Sequence, residues 1–112
     1  MDQWRDNCDD AYSEAISLVD DLSDDVDPEW KREMKRYARV HWFVSRGIAD
    51  CIELYSADMH IQNGNKPVDI SFLESGIKYR SRLWEKTDPE TYQLMYGNVA
   101  LITLDQYKEK NL

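Results

Sequence analysis

The sequence lacks most features that mark secreted, membrane-spanning or loop-rich proteins. It has two cysteines, four glycines and three prolines in 112 residues, which leaves little room for a disulfide framework or a flexible linker. No apolar run approaches the roughly 20 residues that span a bilayer, and residues 1–6 do not have the pattern of a signal peptide. We therefore expect one domain, over residues 1–112, in the cytoplasm and not in a membrane.

The two cysteines, Cys8 and Cys51, both fall on apolar stripes of the predicted helices. A free cysteine in such a position behaves as a small hydrophobic residue. Spacing alone does not establish a disulfide, and we favour two buried thiols over a Cys8–Cys51 bridge.

The motifs of common enzymes are also missing. The sequence contains no glycine-rich phosphate loop, no Gly-x-Ser-x-Gly, no Cys-x-x-Cys and no His-Glu-x-x-His. A helical di-metal site needs Glu-x-x-His or paired Glu-x-x-Glu, yet alanines stand three residues before both His41 and His60. We expect no enzymatic activity, no cofactor and no bound metal.

One pair of carboxylates keeps a metal-dependent all-α nucleotide hydrolase as a remote alternative. Asp50 and Glu53 share a helical face, which is similar to the pairs that all-α nucleotide pyrophosphohydrolases use for magnesium. That family needs a second Glu-x-x-Glu upstream, whereas Glu29 and Glu33 are spaced by four. A solvated helix face is the favoured interpretation of the pair.

Negative charge is abundant but unevenly distributed. The net charge is −8. Residues 1–29 carry eleven acidic groups against Arg5 alone, residues 30–60 carry six basic and four acidic groups, and residues 61–112 carry seven of each. Because an acidic chain is repelled by phosphate backbones and anionic lipids, we expect neither direct nucleic-acid binding nor membrane binding. The expected partner is a basic protein surface, although the basic second segment of the chain itself also fits.

Apolar periodicity predicts two helices in the N-terminal half. Between Asp2 and Leu22 the apolar residues recur about every 3.6 positions, with acidic residues on the opposite face. Asp27-Pro28-Glu29 is a strong helix start, because Asp caps helix N-termini and Pro is tolerated at the first helical position. The second helix is predicted to run from residue 28 to about residue 59, as the central helix of the fold.

The C-terminal half is predicted to be helical after a turn at residues 62–67, which hold two Asn, a Gly and a Pro. Residues 69–85 place their apolar side chains on one half of a helical wheel, and Asp88-Pro89-Glu90 repeats the helix start. Residues 99–104 suit either a buried helix or a short strand, and we favour the helix. The predicted fold class is all-α: a small bundle of about four helices with a long central helix, a short strand near residues 99–104 being the alternative.

The predicted central helix carries a wide apolar arc. Along one stripe, the residues are separated alternately by four and three positions. Val40, Phe43, Gly47 and Leu54 widen this stripe on one side. We expect this arc to be buried against several neighbouring helices, which makes His41 a core histidine. The stripe itself consists of Trp30, Met34, Tyr37, His41, Val44, Ile48, Cys51 and Tyr55.

Trp42 lies about 100° from this stripe, among basic residues that include Arg39 and Arg46. Exposed tryptophan flanked by arginine is typical of binding hot spots. The alternative is that another helix covers the indole ring and that basic side chains lie along it. If exposed, Trp42 is the expected aromatic anchor for a partner.

The first helix and the loop after it hold carboxylates at positions where they repel one another. Like charges three or four residues apart destabilise a helix by about 0.2–0.5 kcal/mol per pair, and Asp20 and Asp21 lie at the unfavourable C-terminal end. The carboxylates serve either for solubility, for pairing with the basic second helix, or for binding a partner. The predicted partner-binding residues are Asp6, Asp9, Asp10, Asp20, Asp21, Asp24, Asp25 and Trp42.

Small size, local acidity and the missing catalytic motifs predict a non-enzymatic binding protein. Our first hypothesis is an inhibitor that docks on a basic, nucleic-acid-binding surface of a partner protein, in the manner of phage-encoded anti-restriction or anti-CRISPR DNA mimics. Strong DNA mimics are far more acidic than −8 over such a length, so mimicry here would be local to residues 1–29. The alternative is a homodimeric helical interaction module that pairs through the long helix.

Overall fold

A computed structural model describes residues 2–94 and 99–111 and shows an all-α protein. No strand is present in these ranges, so the all-α prediction is confirmed. None of the described helices is long and apolar enough to cross a membrane. The helices are α1 (Asp2–Asp20), α2 (Pro28–Gln62), α3 (Ser71–Thr87), α4 (Pro89–Leu94) and α5 (Val99–Asn111).

The predicted helix starts and turns are present at the expected positions. The Asp27 carboxylate accepts a hydrogen bond from the Glu29 N–H at 3.0 Å, which caps α2. After α2, Gly64 adopts φ +88°, a left-handed conformation that favours glycine at a helix end. The Asp69 carboxylate then accepts bonds from the Ser71 N–H and hydroxyl, and α3 begins at Ser71. Local side-chain chemistry therefore sets these boundaries.

The ambiguous segment at residues 99–104 is the start of helix α5, so the favoured interpretation is confirmed and the strand alternative is wrong. Ala100, Leu104 and Tyr107 are buried at helical spacing against the rest of the core. Neighbouring helices supply a surface for this face, which decides between two conformations that the sequence allowed. Residues 95–98, directly before this segment, lie outside the described residues.

The chain divides into two compact units, Met1–Arg46 (unit 1) and Gly47–Leu112 (unit 2), and α2 contributes to both. The expectation of a single domain stays a prediction. Unit 1 contains α1, the loop after it and the first half of α2. Unit 2 contains residues 47–62 of α2 together with α3, α4 and α5.

Unit 2 is built around a core of Leu54, Ile77 and Leu104, each at most 1% exposed. Three side-chain contacts order its helices. The thiol of Cys51 meets the Thr103 hydroxyl at 3.6 Å, and the Lys110 ammonium meets Asp58 at 2.9 Å, so α5 runs parallel to this half of α2. Arg80 of α3 pairs with Asp50 of α2, and Glu74 of α3 binds Lys108 near the end of α5, so α3 runs antiparallel to both.

The prediction that the apolar stripe of α2 is buried was wrong for five of its eight residues, whereas Met34, Val44 and Cys51 are half-buried and Cys51 packs against the core of unit 2. In unit 1, Trp30, Tyr37 and His41 are exposed, and in unit 2, Ile48 and Tyr55 are 47% and 66% exposed. His41 is therefore not a core histidine. The buried positions of α2 lie to one side of this stripe: Phe43, Ala49, Asp50, Leu54 and Ala57. Periodicity showed an arc wider than one packing face, and the part of that arc that is buried is the edge with Phe43 and Leu54.

Candidate functional site

Six of the seven predicted acidic binding residues are exposed in the structure, and five of these six form no ion pair with the described residues. Asp6 and Asp10 lie four residues apart on α1, about 5–6 Å from each other along one face. The other three follow at the end of α1 and in the loop. No ion pair to any of the five is found within residues 2–94 and 99–111. They are Asp6, Asp10, Asp21, Asp24 and Asp25.

The other two acidic residues bind basic residues of α2 within unit 1. Asp20 forms an ion pair with Lys35, and Lys31 donates to the carbonyl oxygen of Leu22 at 3.1 Å. Asp9 binds Arg46, whose Nη1 lies 2.9 Å from both carboxylate oxygens. The intramolecular match between the acidic and basic segments therefore accounts for two of the seven carboxylates.

Trp42 is half-buried and bound by α1. Its indole N–H donates to the Asp9 carboxylate at 2.7 Å, and its ring stacks on Tyr12 with centroids 5.1 Å apart and planes 13° from parallel. The polar edge and one face of the indole thus have partners inside unit 1. A role for Trp42 as the anchor of a partner stays a prediction. Its stacking on Tyr12 shows a structural role, holding α1 on α2.

Asp50 has a role that the sequence did not reveal. It is 1% exposed and forms an ion pair with Arg80 of α3, whose Nη2 donates to both carboxylate oxygens at 3.0 and 2.8 Å. The favoured solvated interpretation of the Asp50–Glu53 pair is therefore wrong for Asp50. Gly76 leaves space for this arginine, since a Cβ there would lie 3.0 Å from Arg80 Nη1. No sequence signal links Asp50 to a residue thirty positions later.

Two further carboxylates in unit 2 are bound between helices. Hydrogen bonds from Lys108 and Lys78 hold the pKa of Glu74 below its ordinary value. Hydrogen bonds from Asn111 and Lys110 likewise lower the pKa of Asp58. Both carboxylates join α5 to a neighbouring helix, so their role in this unit is structural.

These lowered pKa values predict that unit 2 loses stability in acid. A carboxyl group whose pKa is lower in the folded than in the unfolded chain stabilises the fold fully above the unfolded pKa, near about 4. That contribution is lost as the pH falls through the folded pKa. We expect the melting temperature to fall between about pH 5 and pH 2, and Glu74→Gln to make this fall shallower. Thermal melts followed by circular dichroism at several pH values measure this dependence of the melting temperature on pH.

Glu109→Gln, which neutralises an exposed carboxylate on α5, is the matched control for Glu74→Gln. It should leave the acid dependence close to that of the parent. An acid dependence that is the same in Glu74→Gln as in the parent would show that the Glu74 ion pairs contribute nothing to it.

No group of three or more His, Cys, Asp or Glu side chains that could hold a metal ion is found in the described part of the chain. Cys8 and Cys51 are both free, as predicted; Cys8 is buried, but Cys51 is only half-buried, so the prediction of two buried thiols holds for Cys8 alone. No protein-family model matches the chain, and no curated protein or solved structure matches it either.

Proposed function

We propose that this chain is a non-enzymatic binding protein of the cytoplasm that docks on a basic, nucleic-acid-binding surface of a partner protein. The docking surface is the acidic strip, defined as Asp6, Asp10, Asp21, Asp24 and Asp25. The observation that carries the proposal is that these five carboxylates are exposed and have no ion pair with the described residues. Phage-encoded anti-restriction and anti-CRISPR DNA mimics use an acidic surface in the same way, and the chain would act as an inhibitor of that type.

The internal ion pairs of unit 1 support this interpretation. Asp9 and Asp20 hold α1 on α2 through Arg46 and Lys35, and Trp42 adds a stacked contact. A helix fixed in this way holds Asp6 and Asp10 about 5–6 Å apart on one face, and the other three carboxylates of the strip follow in the loop after α1. Rigid presentation lowers the entropy that is lost on binding.

Electrostatic repulsion supplies the driving force. Carboxylates that repel one another in the free protein gain most when Lys and Arg of a partner neutralise them. Such an interface associates quickly at low salt and weakens as the salt concentration rises, because exposed charges are screened over about 10 Å at 0.1 M. The expected partner is thus a protein whose basic surface otherwise binds phosphates.

The test begins with a pull-down from cell extract at low salt to identify one basic partner. Its association rate is then measured at low and high salt with a fourfold variant, Asp6→Asn, Asp10→Asn, Asp24→Asn and Asp25→Asn. We expect association to slow by about tenfold or more at low salt and its salt dependence to become shallow. The fold should stay intact, because the changes remove repulsion on the surface. A single Asp→Asn change should be nearly silent.

The matched control neutralises four exposed carboxylates of unit 2 (Glu85, Glu90, Asp105 and Glu109). Both variants raise the net charge by four, so they differ only in where the charge is removed. Slower association in the acidic-strip variant alone supports the proposal. Equal effects of the two variants on the association rate would indicate a response to net charge. An unchanged salt dependence in the acidic-strip variant would mean that these carboxylates only solvate the surface. Either result would contradict the proposal.

A further inference from the structure

We infer that two copies of this chain associate through an uncharged apolar face of unit 2. The α2–α5 face is defined as Ile48, Ile52 and Tyr55 of α2 with Val99 and Ile102 of α5. This inference does not depend on the acidic strip, which lies in unit 1, and the two surfaces are tested separately.

The five side chains form one patch. Ile48, Ile52 and Tyr55 are spaced by four and three residues, so they lie within an arc of roughly 60° on α2. The contact between Cys51 and Thr103 brings α5 alongside this arc, and Val99 stands one turn before Thr103. Each of the five residues is between 41% and 66% exposed. Apolar side chains at this spacing normally pack against another element.

The composition of the face indicates what covers it. Its five residues and the neighbouring positions Met59, Thr103 and Gln106 are uncharged, although 32% of the chain is Asp, Glu, Lys or Arg. The charged residues Asp105, Glu109 and Lys110 lie at its α5 edge, and Lys110 is paired with Asp58. A partner recognised by charge therefore finds no charged group at the centre of the face, whereas a twofold pairing with a second copy meets no like-charge repulsion there.

The exposed area is sufficient for such a pairing. From the exposed fractions of the five residues, the face offers of the order of 500 Å² per copy, which is near the upper end for a patch on a monomer. Two copies would bury about 1,000 Å² in total, the lower limit for a specific interface. We therefore expect a dimer that dissociates at low micromolar concentration.

Sedimentation equilibrium of the full chain tests this inference, because a dimer has twice the 13.3 kDa mass of one copy. We expect reversible dimerisation of the parent across the micromolar range. The double variant Ile52→Asp, Tyr55→Asp should stay monomeric with unchanged helix content, since it places two charges per copy in the interface. Phe72→Asp is the control, because Phe72 is 91% exposed on α3 of the same unit but lies outside the face.

Three results would overturn the inference: a monomeric parent at high micromolar concentration, a double variant that still dimerises, or a Phe72→Asp variant that also dissociates. The first shows that no dimer forms, the second that another surface is used, and the third that association is non-specific. The fourfold acidic-strip variant should dimerise as the parent does. Failure of the dimer and failure of partner binding are therefore distinguishable.

Discussion

Leu54→Asp is expected to unfold unit 2, whereas Ile48→Asp, on the same helix, should leave it folded. Leu54 is 1% exposed and packs with Ile77 and Leu104 in the core. A carboxylate at this position loses its hydration without gaining a partner, so we expect destabilisation by about 4 kcal/mol or more. Ile48 is 47% exposed, and the same change there should cost less than about 1 kcal/mol.

Urea unfolding followed by far-UV circular dichroism measures both changes, at low protein concentration so that self-association does not contribute. The two variants introduce the same side chain into one helix and differ in which face carries it. Equal destabilisation would mean that the stripe containing Ile48 is packed in the folded protein. A Leu54→Asp variant as stable as the parent would mean that the Leu54 face is not the core.

Asp50→Ala is expected to destabilise unit 2 by about 3–5 kcal/mol, because it leaves the charge of Arg80 buried without its carboxylate. Arg80 is only 15% exposed, and its Nε atom has no hydrogen-bond partner among the described residues. Removing one member of a buried ion pair therefore lowers the free energy of unfolding by more than the intact pair contributes to it. Asp50→Ala with Arg80→Met removes both charges and should recover most of the lost stability.

A double-mutant cycle by thermal or urea unfolding gives the coupling between the two residues. The expected coupling exceeds 1 kcal/mol, since the side chains share two hydrogen bonds at 2.8 and 3.0 Å. Additive losses in the double variant would show that Asp50 and Arg80 act independently. In that case the ion pair would not hold α3 on α2.

Local features of the chain were predictable because they depend on neighbours within a few residues. Helical periodicity predicted α1, α2 and α3, and the cap at Asp27 and the turn at Gly64 followed from side-chain and backbone chemistry at those positions. Asp6 and Asp10 are exposed because the opposite face of α1 holds its apolar residues, and Asp21, Asp24 and Asp25 are exposed in the loop that follows. The charge surplus of residues 1–29 is likewise a property of the sequence alone.

The tertiary structure alone decided which surfaces are buried and which polar groups pair. Asp50 meets Arg80 thirty residues away, and Trp42 meets Asp9 thirty-three residues away; no local rule connects such positions. The apolar arc of α2 exceeds one packing face, so periodicity could not tell whether Leu54 or Ile48 lies in the core. That choice depends on the helices that pack against α2, because the free energy of burial belongs to the contact between two elements and not to either element by itself.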